Sequence, residues 1–202
     1  MYRVGLTGNV ASGKSTVLEL FRRWGAAATD ADLLAREAVR PGTAALAAVV
    51  TQFGPGVLEA DGALDRAALR RRVFADPREL AALNAIVHPE VRRLAALRER
   101  EAALAGARLI VHDVPLLFEV LDPADFDAIV LVDAPAALRR ERLVLSRGLS
   151  PAEADTLIAA QMPSEAKRLR SHYVIDNGGS REALEERARA VWALLQARAG
   201  VV

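Results

Sequence analysis

The sequence predicts an α/β protein: a parallel β-sheet flanked by helices, with a helical lobe inserted between two of its strands. A glycine-containing turn separates a short apolar strand, Tyr2–Leu6, from an amphipathic helix over Ser15–Trp24. Continuous apolar runs at Leu109–Val111 and Ala128–Val132 end in polar residues, a pattern typical of strands buried on both faces of a parallel sheet. Residues 32 to about 105 show helical patterns and no strand pattern, which indicates an insertion.

The composition is that of a globular chain. Its 202 residues are 52% hydrophobic and 26% charged, which suffices for a core without covalent crosslinks. Lys and Arg number 27 against 26 for Asp and Glu, so bulk charge favours neither nucleic acid nor an anionic membrane as a partner. The absence of cysteine excludes disulfides and thiolate sites, and the three histidines are far apart in sequence. With no signal-peptide pattern and no membrane-length apolar run, we expect a cytoplasmic monomer or weak homo-oligomer.

The other elements follow from periodicity and capping signals. Ala26–Thr29 is a second predicted strand and Tyr173–Ile175 is the last one. A Ser-Pro-x-Glu capping box at Ser150 predicts a helix start, and His88-Pro89 predicts a break between two helices. The remaining helices are predicted at 32–40, 43–53, 65–74, 77–87, 91–104, 135–145, 150–161, 163–170 and 180–199.

A phosphate-binding loop is the most specific motif. Gly8–Ser15 matches G-x-x-x-x-G-K-[ST] and lies between a predicted strand and a predicted helix, as the motif requires. Its amides form an anion nest at a helix N-terminus, where Lys14 reaches the β- and γ-phosphates and the Ser15 hydroxyl binds Mg²⁺. A glycine-rich turn with a chance lysine is the alternative. The expected nucleotide contacts are Gly8, Ala11, Ser12, Gly13, Lys14, Ser15 and Thr16.

Roles can be assigned to three of the aspartates that follow predicted strands. Because the carboxyl ends of parallel strands face the ligand crevice, Asp32 is a candidate to orient a substrate hydroxyl and accept its proton. Asp30 is assigned to capping the next helix, although Asp32 could do this instead. Asp113 ends the third strand, where it either supports Mg²⁺ or is a turn residue.

An arginine-rich helix follows the fourth strand. Arg139 and Arg142 lie three residues apart and therefore share a helix face, and Arg147 precedes a glycine that can act as a hinge. Guanidinium groups bind phosphate oxygens and stabilise the charge of phosphoryl transfer, which favours a lid over residues 138–170. The interleaved Glu141 leaves a solvated basic face as the alternative.

A GTPase is not favoured by the sequence, because no N-K-x-D motif is present.

Several further segments form a pattern that spans nearly the whole chain in order. They are Gly5–Gly8 with the phosphate loop, Asp30–Asp32, Ala35–Glu37, Pro41-Gly42, Ile86–Pro89, Pro115–Glu119, Gln161, Val174–Asn177 and Gly179-Ser180. Together these segments resemble the dephospho-CoA kinases.

The resemblance implies a P-loop kinase-like fold and ATP- and Mg²⁺-dependent phosphorylation of the ribose 3′-hydroxyl of dephospho-CoA, the last step of coenzyme A synthesis. It implies a nucleotide-binding core at 1–31 and 107–202 and a substrate-binding lobe at 32–106. The roles that it implies are catalysis for Asp32, Lys14 and Arg142, nucleotide binding for Arg147 and Asn177, substrate contact for Asp32, His88 and Leu116, and Mg²⁺ binding for Ser15 and Asp113.

Two loop residues depart from the family pattern. Asn9 and Ala11 stand where glycines are usual, and a small alanine is tolerable there if its backbone angles are ordinary. A P-loop kinase for another alcohol, such as a nucleoside, a nucleotide or a shikimate-like compound, remains open. So does a nucleotide-dependent binding protein without acceptor chemistry.

Overall fold

The computed structural model describes residues 1–200, except for the side chains of residues 74, 75 and 120. The chain divides into two compact units, Met1–Thr29 with Ala102–Val202 and Asp30–Glu101. Residues 201 and 202, at the end of the predicted nucleotide-binding core, lie outside the described residues.

The strands are β1 Tyr2–Thr7, β2 Ala27–Asp30, β3 Leu109–Asp113, β4 Ala128–Asp133 and β5 Tyr173–Asp176. The helices are α1 Lys14–Arg23, α2 Ala31–Ala38, α3 Ala44–Phe53, α4 Arg66–Ala75, α5 Pro77–Leu104, α6 Leu117–Val120, α7 Ala136–Arg147, α8 Pro151–Ala159, α9 Ser164–Leu169 and α10 Arg181–Arg198.

The sheet confirms the predicted parallel architecture. Its strand order is β2-β3-β1-β4-β5, so β1 is central. It runs parallel to β3 and β4, and β4 runs parallel to β5. Every residue of β3 and β4 is buried, as their continuous apolar runs predicted. The carboxyl ends of β1, β3 and β4 therefore meet at the same edge of the sheet.

Helices α1 and α10 enclose the core of the first unit. The amphipathic face of α1 buries Phe21, whose ring lies 5.2 Å from that of Trp192 on α10. Burial of such rings removes a large apolar area from water and fixes both helices against the sheet. The start of α1, which follows the phosphate loop directly, is thereby held in place. The fully buried side chains of this cluster include Val4, Leu6, Val17, Phe21, Val111, Val130, Val132, Ile175 and Leu195.

The unit Asp30–Glu101 contains helices α2 to α4 and most of α5, as its helical sequence patterns predicted. Asp30 caps α2 by accepting hydrogen bonds from the backbone N–H groups of Asp32 and Leu33 at 2.8 and 3.1 Å. A core around Val49 and Phe53 of α3 also contains residues of α4 and α5. Among the described residues no helix is long and apolar enough to cross a membrane.

The predicted break at His88-Pro89 is wrong, because α5 continues through Pro89. A proline inside a helix removes its own N–H bond and crowds the carbonyl four residues earlier. Here Val87 and Val91, on either side of the proline, pack against a buried cluster of Leu34, Ala38 and Leu94. Packing of the flanking turns outweighs the local preference of proline.

Candidate active site

Both glycines of the loop after β1 lie very close to atoms of other segments. A Cβ atom on Gly8 would lie 2.6 Å from the carbonyl oxygen of Val132, and Gly13 has a φ of 93°. A Cβ atom on Gly13 would lie 2.1 Å from the side-chain nitrogen of Asn177. Both positions therefore require glycine for close approach, and Gly13 requires it for its backbone angle as well.

The backbone of Ala11 does not have the ordinary angles under which an alanine is easily tolerated. Its φ is 59°, in the left-handed region, where a Cβ atom makes the backbone less favourable. The loop therefore keeps a glycine-like turn at a position occupied by alanine. Arg142 contacts this turn, because its Nη1 atom donates to the carbonyl oxygen of Ala11 at 3.1 Å.

Lys14 and Asp113 form an ion pair at the sheet edge. The register of β1 and β3 aligns Leu6 with Asp113, which brings the end of β3 next to the loop. Their side chains are 12% and 9% exposed, so water screens this pair only weakly. The pair thus places an ammonium group and a carboxylate side by side at the start of α1.

The start of α1 and the end of β3 each present an oxygen donor. Ser15 is exposed in the first turn of α1, immediately after Lys14, and Asp113 supplies a carboxylate. In the part of the chain that the structure describes, no group of three or more His, Cys, Asp or Glu residues could hold a metal ion. One hydroxyl and one carboxylate fit Mg²⁺, which usually completes its coordination with water and substrate phosphates.

His112, next to Asp113, is a buried neutral imidazole. Its Nδ1 atom lies 2.8 Å from the Thr29 hydroxyl, in a hydrogen bond that links the end of β2 to β3. Burial, and to a lesser extent the positive charge of Arg3, lower the pKa of His112 to about 4. The ring therefore remains uncharged at neutral pH and adds no positive charge beside Asp113.

The arginines of α7 differ in their contacts and in their exposure. Arg142 donates to the carbonyl oxygens of Ala11 and Asn177, both at 3.1 Å, so it lies against the loop. Arg139 is instead 4% exposed, and its Nε atom donates to the carbonyl oxygen of Ala134. Arg147 is exposed at the end of α7. Arg139 and Arg142 thus have different contacts, although they lie three residues apart on α7.

Two further candidates, Asp32 and His88, belong to the unit Asp30–Glu101. Asp32 is exposed in the first turn of α2, and its backbone rather than its carboxylate contacts the cap Asp30. His88 is half-buried within α5, where burial and the charge of Arg92 lower its pKa. Leu116, in the other unit, is 42% exposed at the start of α6.

Comparison with known proteins identifies the family. The family model described as dephospho-CoA kinase matches residues 2–182. The chain belongs to the dephospho-CoA kinase family. A dephospho-CoA kinase from Anaeromyxobacter dehalogenans is 50% identical over 199 residues, which cover 98% of this chain and 93% of that protein. One from Geobacter sulfurreducens is 47% identical over 193 residues, covering 94% and 96% of the two chains.

Solved structures agree with the fold. A crystal structure of a Thermus thermophilus protein is 42% identical with a TM-score of 0.81, covering 96% of this chain and 97% of that one. A dephospho-CoA kinase from Campylobacter jejuni has a TM-score of 0.71 at 22% identity, and 99% and 98% of the chains are covered. The P-loop kinase fold predicted from the sequence is therefore confirmed.

Some contacts at the site of this dephospho-CoA kinase family member were not predicted from sequence. Asn177 was expected to bind the nucleotide, which stays a prediction, and its buried side chain donates to the carbonyl oxygen of Ser12 at 2.7 Å. Asp133, at the end of β4, accepts from Ser164 and Arg168, both at 2.9 Å. An aspartate at the end of a clear strand is a signal that could have indicated Asp133. Nothing local indicates its partners.

Proposed function

We propose that this chain transfers the γ-phosphoryl group of ATP to the ribose 3′-hydroxyl of dephospho-CoA, giving coenzyme A and ADP. One observation carries the proposal: a phosphate loop whose Lys14 contacts the strand-end Asp113, in a chain whose relatives are dephospho-CoA kinases over nearly their whole length. The reaction breaks the bond between the γ-phosphorus and the β–γ bridging oxygen. It forms a bond from the 3′-oxygen to the γ-phosphorus.

The phosphate loop would bind the triphosphate. Its backbone N–H groups and the N-terminus of α1 stabilise the negative charge, as do oriented amides in other anion nests. In this proposal Lys14 moves its ammonium group from Asp113 to the β- and γ-phosphates. The carboxylate of Asp113 then becomes able to interact with a cation.

Ser15 and Asp113 would hold Mg²⁺. They offer a hydroxyl and a carboxylate at the start of α1 and the end of β3, and both are hard oxygen donors. When it is bound, Mg²⁺ neutralises part of the phosphate charge. The chain's own part is to present these two oxygens from rigid elements.

Asp32 would orient the 3′-hydroxyl and accept its proton as the oxygen attacks. Its support is an exposed carboxylate at the start of α2, where Asp30 already performs the capping. His88 and Leu116 are proposed as substrate contacts because they fall on the segments that resemble the family. The helical residues 32–106 would then form the substrate lobe, and residues 1–31 and 107–202 the nucleotide core.

The lid at about 138–170 would supply positive charge to the transferring group. Arg142 already lies against the loop through Ala11, and Arg147 is exposed at the end of the same helix. Positive charge aimed at the transferring group stabilises the transition state more than the ground state. Asn177 is proposed to act at the nucleotide through its contact with the loop. We also propose a cytoplasmic location and a monomer or weak homo-oligomer.

A coupled assay of ADP release tests the function. Purified protein with ATP and Mg²⁺ is expected to release ADP rapidly only when dephospho-CoA is present, and a Lys14→Ala variant is expected to lose this stimulation. A panel of shikimate, nucleosides and nucleoside monophosphates tests the other P-loop kinase activities. Stimulation by a panel compound but not by dephospho-CoA would reject the proposed substrate. An absence of stimulation by any acceptor would reject the kinase reaction.

A further inference from the structure

Four consecutive residues of the phosphate loop are hydrogen-bonded to the segment that follows β4. The contacts are Asn9 Nδ2 to Met162 O at 3.2 Å and to Ser164 Oγ at 3.3 Å, Val10 N to Gln161 Oε1 at 2.8 Å, Arg142 Nη1 to Ala11 O at 3.1 Å, and Asn177 Nδ2 to Ser12 O at 2.7 Å. We call these partners, Arg142, Gln161, Met162, Ser164 and Asn177, the loop brace.

The loop brace is attached to the sheet through Asp133. Ser164 Oγ donates to one carboxylate oxygen of Asp133 at 2.9 Å, and Arg168 donates to the other at 2.9 Å. Arg168 also contacts Asp176 at 2.7 Å, in register with Asp133 on the neighbouring strand. Helix α9, which contains Ser164 and Arg168, is therefore connected to the ends of β4 and β5.

Helix α9 has further contacts that restrict its movement. Lys167 is fully buried, and its ammonium group lies 3.0 Å from the Glu119 carboxylate. The Arg170 guanidinium lies 4.7 Å from the centre of the Phe118 ring. Both contacts join α9 to α6. The segment between α8 and α9, which contains Gln161 and Met162, is thus followed by a helix whose position these contacts fix.

The orientation of the Asn9 side chain follows from its partners. Only the amide nitrogen can face the Met162 carbonyl, because two oxygens would repel each other. Asn9 is 4% exposed, and its Oδ1 atom has no hydrogen-bond partner among the described residues. A buried acceptor without a partner is unfavourable. Asn9 therefore supports the loop through the two hydrogen bonds that its amide nitrogen donates.

The loop needs such support because of its own sequence. Ala11 holds a left-handed φ of 59°, a conformation that is unfavourable for alanine. An anion nest binds phosphate well only if its N–H groups are oriented beforehand. The Gln161 side chain fixes the orientation of one of these peptides by accepting from the Val10 N–H.

We propose that Gln161 and Asn9 are positioning residues for the phosphate loop: through them, the segment between α8 and α9 maintains the loop conformation that binds the nucleotide. The reaction assigned to this nucleotide rests on the proposed function. The effect on the loop itself is independent of the acceptor substrate. Gln161 and Asn9 therefore act on nucleotide affinity without touching the reacting atoms.

Direct ADP binding tests this proposal. The dissociation constant of Mg²⁺–ADP is measured by calorimetry at 25 °C for the wild type, Gln161→Ala, Asn9→Ala and the double variant. Loss of a hydrogen bond at the loop is expected to weaken binding by about three- to tenfold in each single variant. Gln52→Ala, at an exposed position on α3, is the matched control and is expected to bind like the wild type. In turnover assays the KM for ATP should rise while the KM for dephospho-CoA changes little.

The outcomes separate positioning from a merely structural role. A lower melting temperature with an unchanged ADP dissociation constant would overturn the proposal. If Gln161→Ala does not fold, the same comparison is made with Gln161→Met, which keeps the side-chain volume and removes the acceptor oxygen. A wild type that binds ADP but does not phosphorylate dephospho-CoA would reject the proposed function alone. The binding data would still decide the role of Gln161 and Asn9.

Discussion

Substitution of Gly13 by alanine is expected to disrupt the phosphate loop through two separate effects. The first is backbone strain, because a left-handed alanine costs about 1–2 kcal/mol. The second is the clash with Asn177, whose side-chain nitrogen would lie 2.1 Å from the new Cβ. Asn177 must then leave Ser12, and a lost buried hydrogen bond costs about 1–3 kcal/mol.

Gly25→Ala separates these effects. Gly25 has a φ of 98°, close to the 93° of Gly13, but a Cβ atom there meets nothing within 4 Å. The backbone strain and the reduced entropy of the unfolded chain are therefore nearly the same in both variants. The difference in the free energy of unfolding, about 2 kcal/mol, reports the Asn177 contact alone.

The measurements are thermal unfolding and ADP calorimetry. Gly13→Ala is expected to melt about 4–8 °C below Gly25→Ala, as a difference of about 2 kcal/mol predicts for a chain of this size. It is also expected to bind Mg²⁺–ADP more than about tenfold more weakly, while Gly25→Ala binds like the wild type. Equal melting temperatures and equal affinities in the two variants would refute the assignment of Asn177 as a support of the loop.

Three further predictions follow from single residues. Asp32→Asn should lower kcat by about 100- to 10,000-fold with little change in ADP affinity, and near-normal turnover would remove Asp32 from its proposed role. Burial lowers the pKa of His112 to about 4, so as the pH falls this imidazole binds a proton in the unfolded chain before it does so in the folded one. The free energy of unfolding should therefore decrease by about 3 kcal/mol between about pH 6.5 and pH 4. Urea unfolding without nucleotide checks this, and an equal pH dependence in His112→Gln would contradict it. Ala11→Gly should leave the free energy of unfolding within about 1 kcal/mol of the wild type, because it removes left-handed strain. A calorimetric loss of more than about tenfold in ADP affinity would show that Ala11 contributes more than its backbone conformation.

The parts of the fold that depend on local pattern could be predicted from sequence. The apolar runs of β3 and β4 are continuous because both faces of these strands are buried, so each strand end could be located. The capping box at Ser150 is present, with both reciprocal bonds to Glu153. These features need only a few neighbouring residues, and a sequence contains that information directly.

Pro89 shows where local rules fail. The helix α5 passes through it because Val87 and Val91 gain packing against a cluster that includes Leu34. That cluster joins residues far apart in the chain. Its contribution cannot be read from the proline and its neighbours, which alone predict a break.

At the candidate site, likewise, the sequence indicates single residues but not the contacts between them. Lys14 and Asp113 could each be selected as site residues, but their contact depends on β3 lying next to β1 in the strand order. Asn9 and Met162, which are 153 residues apart, show no pattern that would pair them. The sequence places an alanine at position 11 without showing its backbone angles. Its left-handed φ, which alanine rarely adopts, is evident only from the structure.

The most direct test of the account is to locate the phosphate in the product. Wild-type protein is incubated with ATP, Mg²⁺ and dephospho-CoA, and the product is analysed by ³¹P NMR and mass spectrometry. The account predicts one added phosphate per molecule, bonded to the 3′-oxygen of the ribose, with an equal amount of ADP. A phosphate at any other position, or unchanged dephospho-CoA beside a protein that still binds ADP, would contradict it.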